Sequence, residues 1–239
     1  MEKRTETKID KKISFVIVGM AGSGKTSFCQ RLFSWVFSKE TQKEIEAINL
    51  DPAVQNTKMP CTIDIRDTID FRETMEKYAL GPNGSINTCL NLFLMKNISF
   101  NNKKITIIDT PGQIESFIWN SSGEIILRKL ENPVILYIVD ISSNNLYEIV
   151  SNFVFAAAIK ERFKIEVVLI FNKCDQTGIS EVEKYLDYEY LRNITNNEKF
   201  TDVGILSTYF EEFYRNLKFV KTSALTGEGK KEFFDTIFN

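Results

Sequence analysis

At 239 residues the chain is long for one domain of ~150 residues but within the range of a single α/β unit, and its 43% hydrophobic and 26% charged residues suit a chain that buries a full core. A formal net charge of −2 gives no global electrostatic argument for nucleic acid or an anionic membrane, and no apolar run reaches the ~18 residues of a membrane span. Histidine is absent, which excludes His triads, His general bases and imidazole metal sites; the four cysteines, Cys29, Cys61, Cys89 and Cys174, form no C-x-x-C pair, so neither zinc nor a disulfide framework is indicated.

Catalysis is left to carboxylates, amides, backbone and metal, and the scattered thiols fit a reducing compartment. Residues 1–12 are polar and charged, unlike a signal peptide, and are expected to form a loose tail before a single domain over 13–239. The apolar run 13–18 predicts a strand. It feeds Gly19-Met20-Ala21-Gly22-Ser23-Gly24-Lys25-Thr26, which fits G-x-x-x-x-G-K-[ST] and precedes a helical pattern of Phe28, Leu32, Trp35 and Val36. In such a P-loop the glycines let backbone N–H groups turn inward around phosphates, and the following helix presents its positive end. Gly22, Ser23, Gly24, Lys25, Thr26 and Ser27 are therefore the candidate phosphate-binding residues. Lys25 is expected at the β and γ phosphates, and the Thr26 hydroxyl on Mg²⁺.

A second buried strand over 45–50 ends in Asp51-Pro52-Ala53. A carboxylate at the carboxyl end of a parallel strand lies where such sheets bind ligands, so Asp51 is a candidate for Mg²⁺ contact through water or for orienting the attacking water. Residues 63–69 lead to a charged amphipathic helix over 71–78 and then to Gly81-Pro82-Asn83-Gly84, which reads as a turn on its local chemistry. An apolar helix over 86–95 follows, and then a buried strand over 105–108. That strand delivers Asp109-Thr110-Pro111-Gly112-Gln113, in which Asp109 is placed to hold Mg²⁺, Gly112 to approach a γ-phosphate and Gln113 to orient water.

Strands over 134–139 and 167–171 flank a helix over 146–160. The second strand ends in Asn172-Lys173-Cys174-Asp175, an N-K-x-D sequence. The Asp175 carboxylate can accept from both N1–H and the exocyclic amine of guanine, whereas adenine offers neither; each such bond is worth ~1.5–3 kcal/mol. Downstream, a strand over 219–222 leads to Ser223-Ala224-Leu225, a turn of the kind whose backbone N–H faces guanine O6. Residues 179–217 form an insertion with two helical, aromatic-rich patterns, and a last helix spans 228–238.

These segments in this order resemble the GPN-loop GTPases, over nearly the whole chain from 13 to 238. The resemblance rests on the P-loop, residues 50–53, 63–69, 81–84, 109–115 with Trp119, and 172–175. It implies a P-loop α/β three-layer sandwich with a mainly parallel sheet and a helical insertion before the last strand. It implies GTP and GDP with Mg²⁺, and a constitutive dimer, either a homodimer or a heterodimer with a paralogous subunit. In that dimer Asn83 acts in trans near the γ-phosphate. Ile63-Asp64-Ile65-Arg66-Asp67-Thr68 and Leu80-Gly81-Pro82-Asn83-Gly84 are most similar to the paralogue implicated in RNA polymerase II assembly and nuclear import. That likeness implies polymerase subunits as clients, a cytoplasmic location with shuttling to the nucleus, and no direct contact with nucleic acid or membrane. Such relatives commonly carry a long acidic C-terminal tail that this sequence does not show, so roles assigned to that tail are not implied.

The expected mechanism is in-line attack of water on the γ-phosphate. Lys25 and Mg²⁺ on Thr26, Asp51 and Asp109 neutralise charge, Gln113 positions the water with Asp51 as a second candidate, and the resemblance places the Asn83 amide in trans near the γ-phosphate. Hydrolysis is expected to be slow without a charged finger worth ~10³–10⁵ in rate. Arg66 and Arg72 lie in the right region, but beside a helix an arginine is more often surface or a structural ion pair. Two other readings are a P-loop phosphotransferase for small molecules, which gives no reason for N-K-x-D, and a client-binding chaperone in which GTP is structural.

Overall fold

In the computed structural model residues 11–38, 42–96, 98–100, 103–142, 145–176 and 217–238 are described, with five isolated positions between 184 and 193. Seven strands, β1 (Ile13–Gly19), β2 (Ile45–Asn49), β3 (Ile63–Asp64), β4 (Ile105–Asp109), β5 (Pro133–Asp140), β6 (Glu166–Asn172) and β7 (Lys218–Lys221), form one sheet in the order β3-β2-β4-β1-β5-β6-β7. Every pairing is parallel. The near-continuous apolar runs follow from this, because a parallel sheet is covered on both faces: all seven residues of β1 are buried.

Alternation along the strands divides the core into two layers. On one face Val16, Val18, Ile48, Ile108 and Tyr137 pack with residues of α2 (Phe71–Lys77), α3 (Pro82–Met95), α4 (Ile114–Ile118), α5 (Ser121–Lys129) and α6 (Leu146–Phe163). On the other, Phe15, Ile17, Ile107 and Leu136 pack with α1 (Lys25–Phe37) and the closing helix α7 (Lys230–Phe238). Phe233 of α7 packs tilted or edge-on against Phe15, Phe28 and Trp35 at 5.8–6.1 Å between ring centroids, which seals α7 to α1 and β1. The result is the expected three-layer sandwich. Register then lines up the carboxyl ends: Asn49 faces Asp109 across β2 and β4, and Asp140 faces Asn172 across β5 and β6.

One expectation needs correction, one stretch carries helices that the sequence pattern did not predict, and the N-terminal segment is described only at its last two positions. Gly81-Pro82-Asn83-Gly84 is not a turn: Gly81 caps α3, Pro82 is its first residue, and the helix runs on to Met95. Proline suits that first position because the N–H it lacks has no helical partner there, and the reversal before it is made by Ala79 at φ 50. Helices α4 and α5 fill a stretch for which the sequence reading assigned no element. The tail reading of 1–12 lies outside the described residues up to 10, but Lys12 is fixed, its ammonium donating to Glu131 at 3.0 Å and its carbonyl accepting from Asn132 at 2.9 Å. The helical patterns of 179–217 lie outside the described residues apart from isolated positions and Leu217. Among the described residues no helix is long and apolar enough to cross a membrane.

Candidate active site

The P-loop leaves β1 between two close approaches. A Cβ on Gly19 would meet the Ile138 carbonyl oxygen at 2.5 Å, and one on Gly24 would meet Asn172 Nδ2 at 2.5 Å. Gly24 also sits at φ 92, where an L side chain is strained. Lys25 is buried and donates to the carbonyls of Gly19 at 2.8 Å, Met20 at 2.9 Å and Gly112 at 3.1 Å. The last bond ties the P-loop to the Asp109–Gln113 segment. Burial lowers the Lys25 pKa, and the nearby Asp109 and Asp51 charges pull against that.

The two strand-end carboxylates behave differently. Asp51 accepts from the Ala53 N–H at 2.9 Å with one oxygen and from the Gly112 N–H at 3.1 Å with the other, so β2 anchors the loop after β4. Burial raises its pKa against those two bonds. Asp109 is 4% exposed, and its Oδ1 is buried without a hydrogen-bond partner among the described residues. Burial pushes its carboxyl up to about 6, opposed by the neighbouring Thr26 hydroxyl. An orphaned hard oxygen beside a threonine hydroxyl fits a divalent cation that takes its remaining ligands from phosphate and water, as Mg²⁺ does.

At the base end Asn172 is the junction. Its Nδ2 donates to the Ser23 carbonyl at 3.0 Å, and its Oδ1 accepts from the Ala224 N–H at 3.0 Å. Asp175 accepts from Ser223 Oγ at 2.5 Å, and Lys173, at φ 69, donates to the Gly22 carbonyl at 3.2 Å and pairs with Asp140. Burial raises Asp140, but the bonds from Lys173 and Ser142 prevail and hold its carboxyl below the usual range.

The structure therefore brings together Gly22, Ser23, Gly24, Lys25 and Thr26 with Asp51 and Asp109, and joins them to Asn172, Lys173, Asp175, Ser223 and Ala224. Ser27 accepts from Lys58 at 2.8 Å. Gln113 is exposed at the N-cap of α4, and Asn83 is exposed at the second position of α3; among the described residues neither side chain is bonded into this cluster. Arg66 is bonded to Asp64 through three contacts of 2.7–3.2 Å and to the carbonyls of Val54 and Gln55 at 3.0 Å, the structural ion pair rather than a finger. Asp140, Arg31 and Lys58 were not singled out from the sequence. Only the position of Asp140 at a strand end offered a signal.

A protein-family model described as "Conserved hypothetical ATP binding protein" matches residues 17–239. GPN-loop GTPase 1 of Schizosaccharomyces pombe is 37% identical over 95% of this chain and 68% of its own length. GPN-loop GTPase QQT2 of Arabidopsis thaliana is 38% identical over 92% of this chain and 62% of its own length. GPN-loop GTPase 1 of Saccharomyces cerevisiae is 36% identical over 94% and 64%. The chain thus spans about two thirds of the length of these curated relatives. A GTPase from Pyrococcus abyssi solved in apo form shares the fold, with a TM-score of 0.75 and 24% identity over 94% of this chain and 95% of that one.

Proposed function

The chain belongs to the GPN-loop GTPase family, and on that premise we propose that it binds GTP and hydrolyses it to GDP and phosphate at the P-loop edge of its sheet. The observation that carries this reading is the double bond pattern of Asn172, which ties the phosphate loop at Ser23 to the base loop at Ala224 through one side chain. A nucleotide bound there meets both loops already in register. Asp175, oriented by Ser223, accepts from guanine N1–H and the 2-amine, so guanine is favoured although the family model's description names ATP.

Lys25 exchanges its three carbonyl partners for β and γ phosphate oxygens on binding. It does so in a buried, low-dielectric setting where its charge counts for more than in water. That exchange releases the Gly112 carbonyl, so the loop carrying Gln113 senses the phosphates directly. Asp51 holds the same loop by its Gly112 N–H, and Gln113 orients the attacking water. Thr26 and Asp109 are the residues that would hold Mg²⁺, with Asp51, whose two oxygens already accept backbone N–H groups, serving it through water; the ion would supply charge neutralisation on the phosphates. With Arg66 committed to Asp64, turnover is slow.

The finer reading is a homodimer or a heterodimer with a paralogous subunit, in which Asn83 reaches the partner's nucleotide. The protein then acts as a switch in RNA polymerase II assembly and nuclear import, from the cytoplasm. Support for it is the likeness of residues 63–68 and 80–84 to that paralogue, and the exposed placement of Asn83 on a helix start.

Steady-state hydrolysis and equilibrium binding of GTP and ATP test the central reading. GTP is expected to be preferred by at least tenfold, and Asp175→Asn to remove most of that preference, because ~1.5–3 kcal/mol per charged hydrogen bond is lost. Equal use of ATP and GTP, or selectivity untouched in Asp175→Asn, would overturn it.

A further inference from the structure

The turn after β7 is held by a residue from the opposite end of the chain. Arg31 lies on α1, six residues beyond Lys25. Its Nε donates to the Ala224 carbonyl at 2.8 Å and its Nη2 to the Leu225 carbonyl at 2.6 Å. The guanidinium fits there because position 227 is glycine: a Cβ would stand 3.1 Å from Arg31 Nη1, and φ is +87. The turn closes on itself, with the Gly227 N–H donating to the Ser223 carbonyl at 2.8 Å and the Thr226 N–H to Ser223 Oγ at 3.1 Å.

The direction of each peptide group follows from these bonds. In a trans peptide the C=O of one residue and the N–H of the next point to opposite sides. Arg31 draws the Ala224 carbonyl toward α1, so the Leu225 N–H of the same peptide is turned away from α1. The Ala224 N–H is already occupied by Asn172 Oδ1, whereas the Leu225 N–H has no hydrogen-bond partner among the described residues. Leu225 is 79% exposed, and its unpaired donor belongs to the turn whose other members, Ser223 and Ala224, hold Asp175 and Asn172.

We propose that Arg31 is a positioning residue for base recognition: by gripping the Ala224 and Leu225 carbonyls it holds the Leu225 N–H outward as the donor that reads an oxygen at position 6 of a purine. This rests on the guanine reading above. That reading has two parts. Asp175 reads N1–H and the 2-amine, and the Arg31-supported turn reads position 6. Arg31 also links the two subsites mechanically, since α1 begins at the phosphate loop and its side chain ends on the base loop.

The division can be measured by competition of GDP, IDP and 6-thio-GDP against a fluorescent GDP analogue, using wild type, Arg31→Ala and Arg31→Lys. IDP lacks only the 2-amine, and 6-thio-GDP differs only at position 6. For Arg31→Ala, loss of two charge-assisted bonds is expected to weaken GDP about tenfold or more and to move the GDP to 6-thio-GDP ratio toward one. The GDP to IDP ratio stays within about twofold of wild type, because Asp175 is untouched. Arg31→Lys, which keeps the charge but not the two-pronged donor, gives an intermediate position-6 ratio. A purely structural role would weaken all three nucleotides alike, and that outcome in a folded Arg31→Ala protein overturns the proposal. If Arg31→Ala does not fold, Arg31→Lys decides, and an unchanged position-6 ratio there overturns it. A wild-type protein that fails to separate GDP from IDP refutes the guanine reading itself, a failure visible without any Arg31 variant.

Discussion

At the scale of single residues, Asp109 shows how the sheet edge is prepared for charge. Its carboxyl is raised from the ordinary 3.8 to about 6 because burial disfavours the anion more than Thr26 compensates. A carboxyl raised by folding contributes stability that is fully present below about pH 4 and is lost as the pH rises through about 6. Asp109→Asn removes the buried anion while keeping the shape. Thermal melts of metal-free, nucleotide-free protein are expected to coincide for wild type and variant near pH 4. The variant should be more stable above pH 6, by on the order of 2–3 kcal/mol. With GDP present, added Mg²⁺ should raise the melting temperature of wild type and leave the variant unmoved. Parallel pH curves would mean that the orphaned Oδ1 finds a partner in solution and that the carboxylate is not held in reserve for a cation.

At the scale of elements, the start of α3 separates what residue types announce from what their surroundings decide. Proline, asparagine and glycine in succession serve a turn and a helix start equally well, and nothing local distinguishes them. Here the decision falls to the apolar face that follows, Ile86, Cys89, Leu90 and Phe93, all buried in the first core layer, and to Ser85, whose N–H and hydroxyl both reach back to the Gly81 carbonyl at 3.0 and 2.9 Å. Asn83 is exposed and contributes no cap, so Asn83→Ala is expected to cost no more than ~0.5 kcal/mol in chemical denaturation. A large fall in GTP turnover at that unchanged stability would assign the side chain to catalysis; unchanged turnover would leave it as helix surface. The same contrast explains the rest of the reading. The strands of the sheet and the residues at their carboxyl ends were legible because a covered parallel sheet imposes apolar runs that stop where the chemistry begins. The two-residue strand β3 was not, since its pairing is fixed by Thr62 and Asn49 across the gap rather than by a run of its own. Arg31 was not legible either, because its partners are 193 and 194 positions away and come near only once β7 pairs with β6 and α7 packs on α1.

At the scale of the whole molecule, the all-parallel order gathers the P-loop, Asp51, Asp109 and the base loops at one edge of a single chain, and leaves Asn83 exposed at the start of a helix. Such a placement suits a group that serves a second copy, and a trans role makes a prediction that no single variant can give. Lys25→Ala should remove nucleotide binding from its own subunit while leaving that subunit's Asn83 intact, and Asn83→Ala does the converse. Each variant alone is expected to be nearly inactive. Co-expressed in equal amounts, half of randomly paired homodimers are mixed and each mixed dimer has one complete site, so turnover should recover to about a quarter of wild type. Recovery has to depend on the two variants sharing a dimer, which light scattering and separate tags on each chain can verify. A mixture no more active than the average of its parts would place Asn83 in cis or outside the reaction. A chain that stays monomeric on its own would instead transfer the trans asparagine to a paralogous subunit, and the same pairing of variants, one in each protein, would then locate which of the two sites turns over.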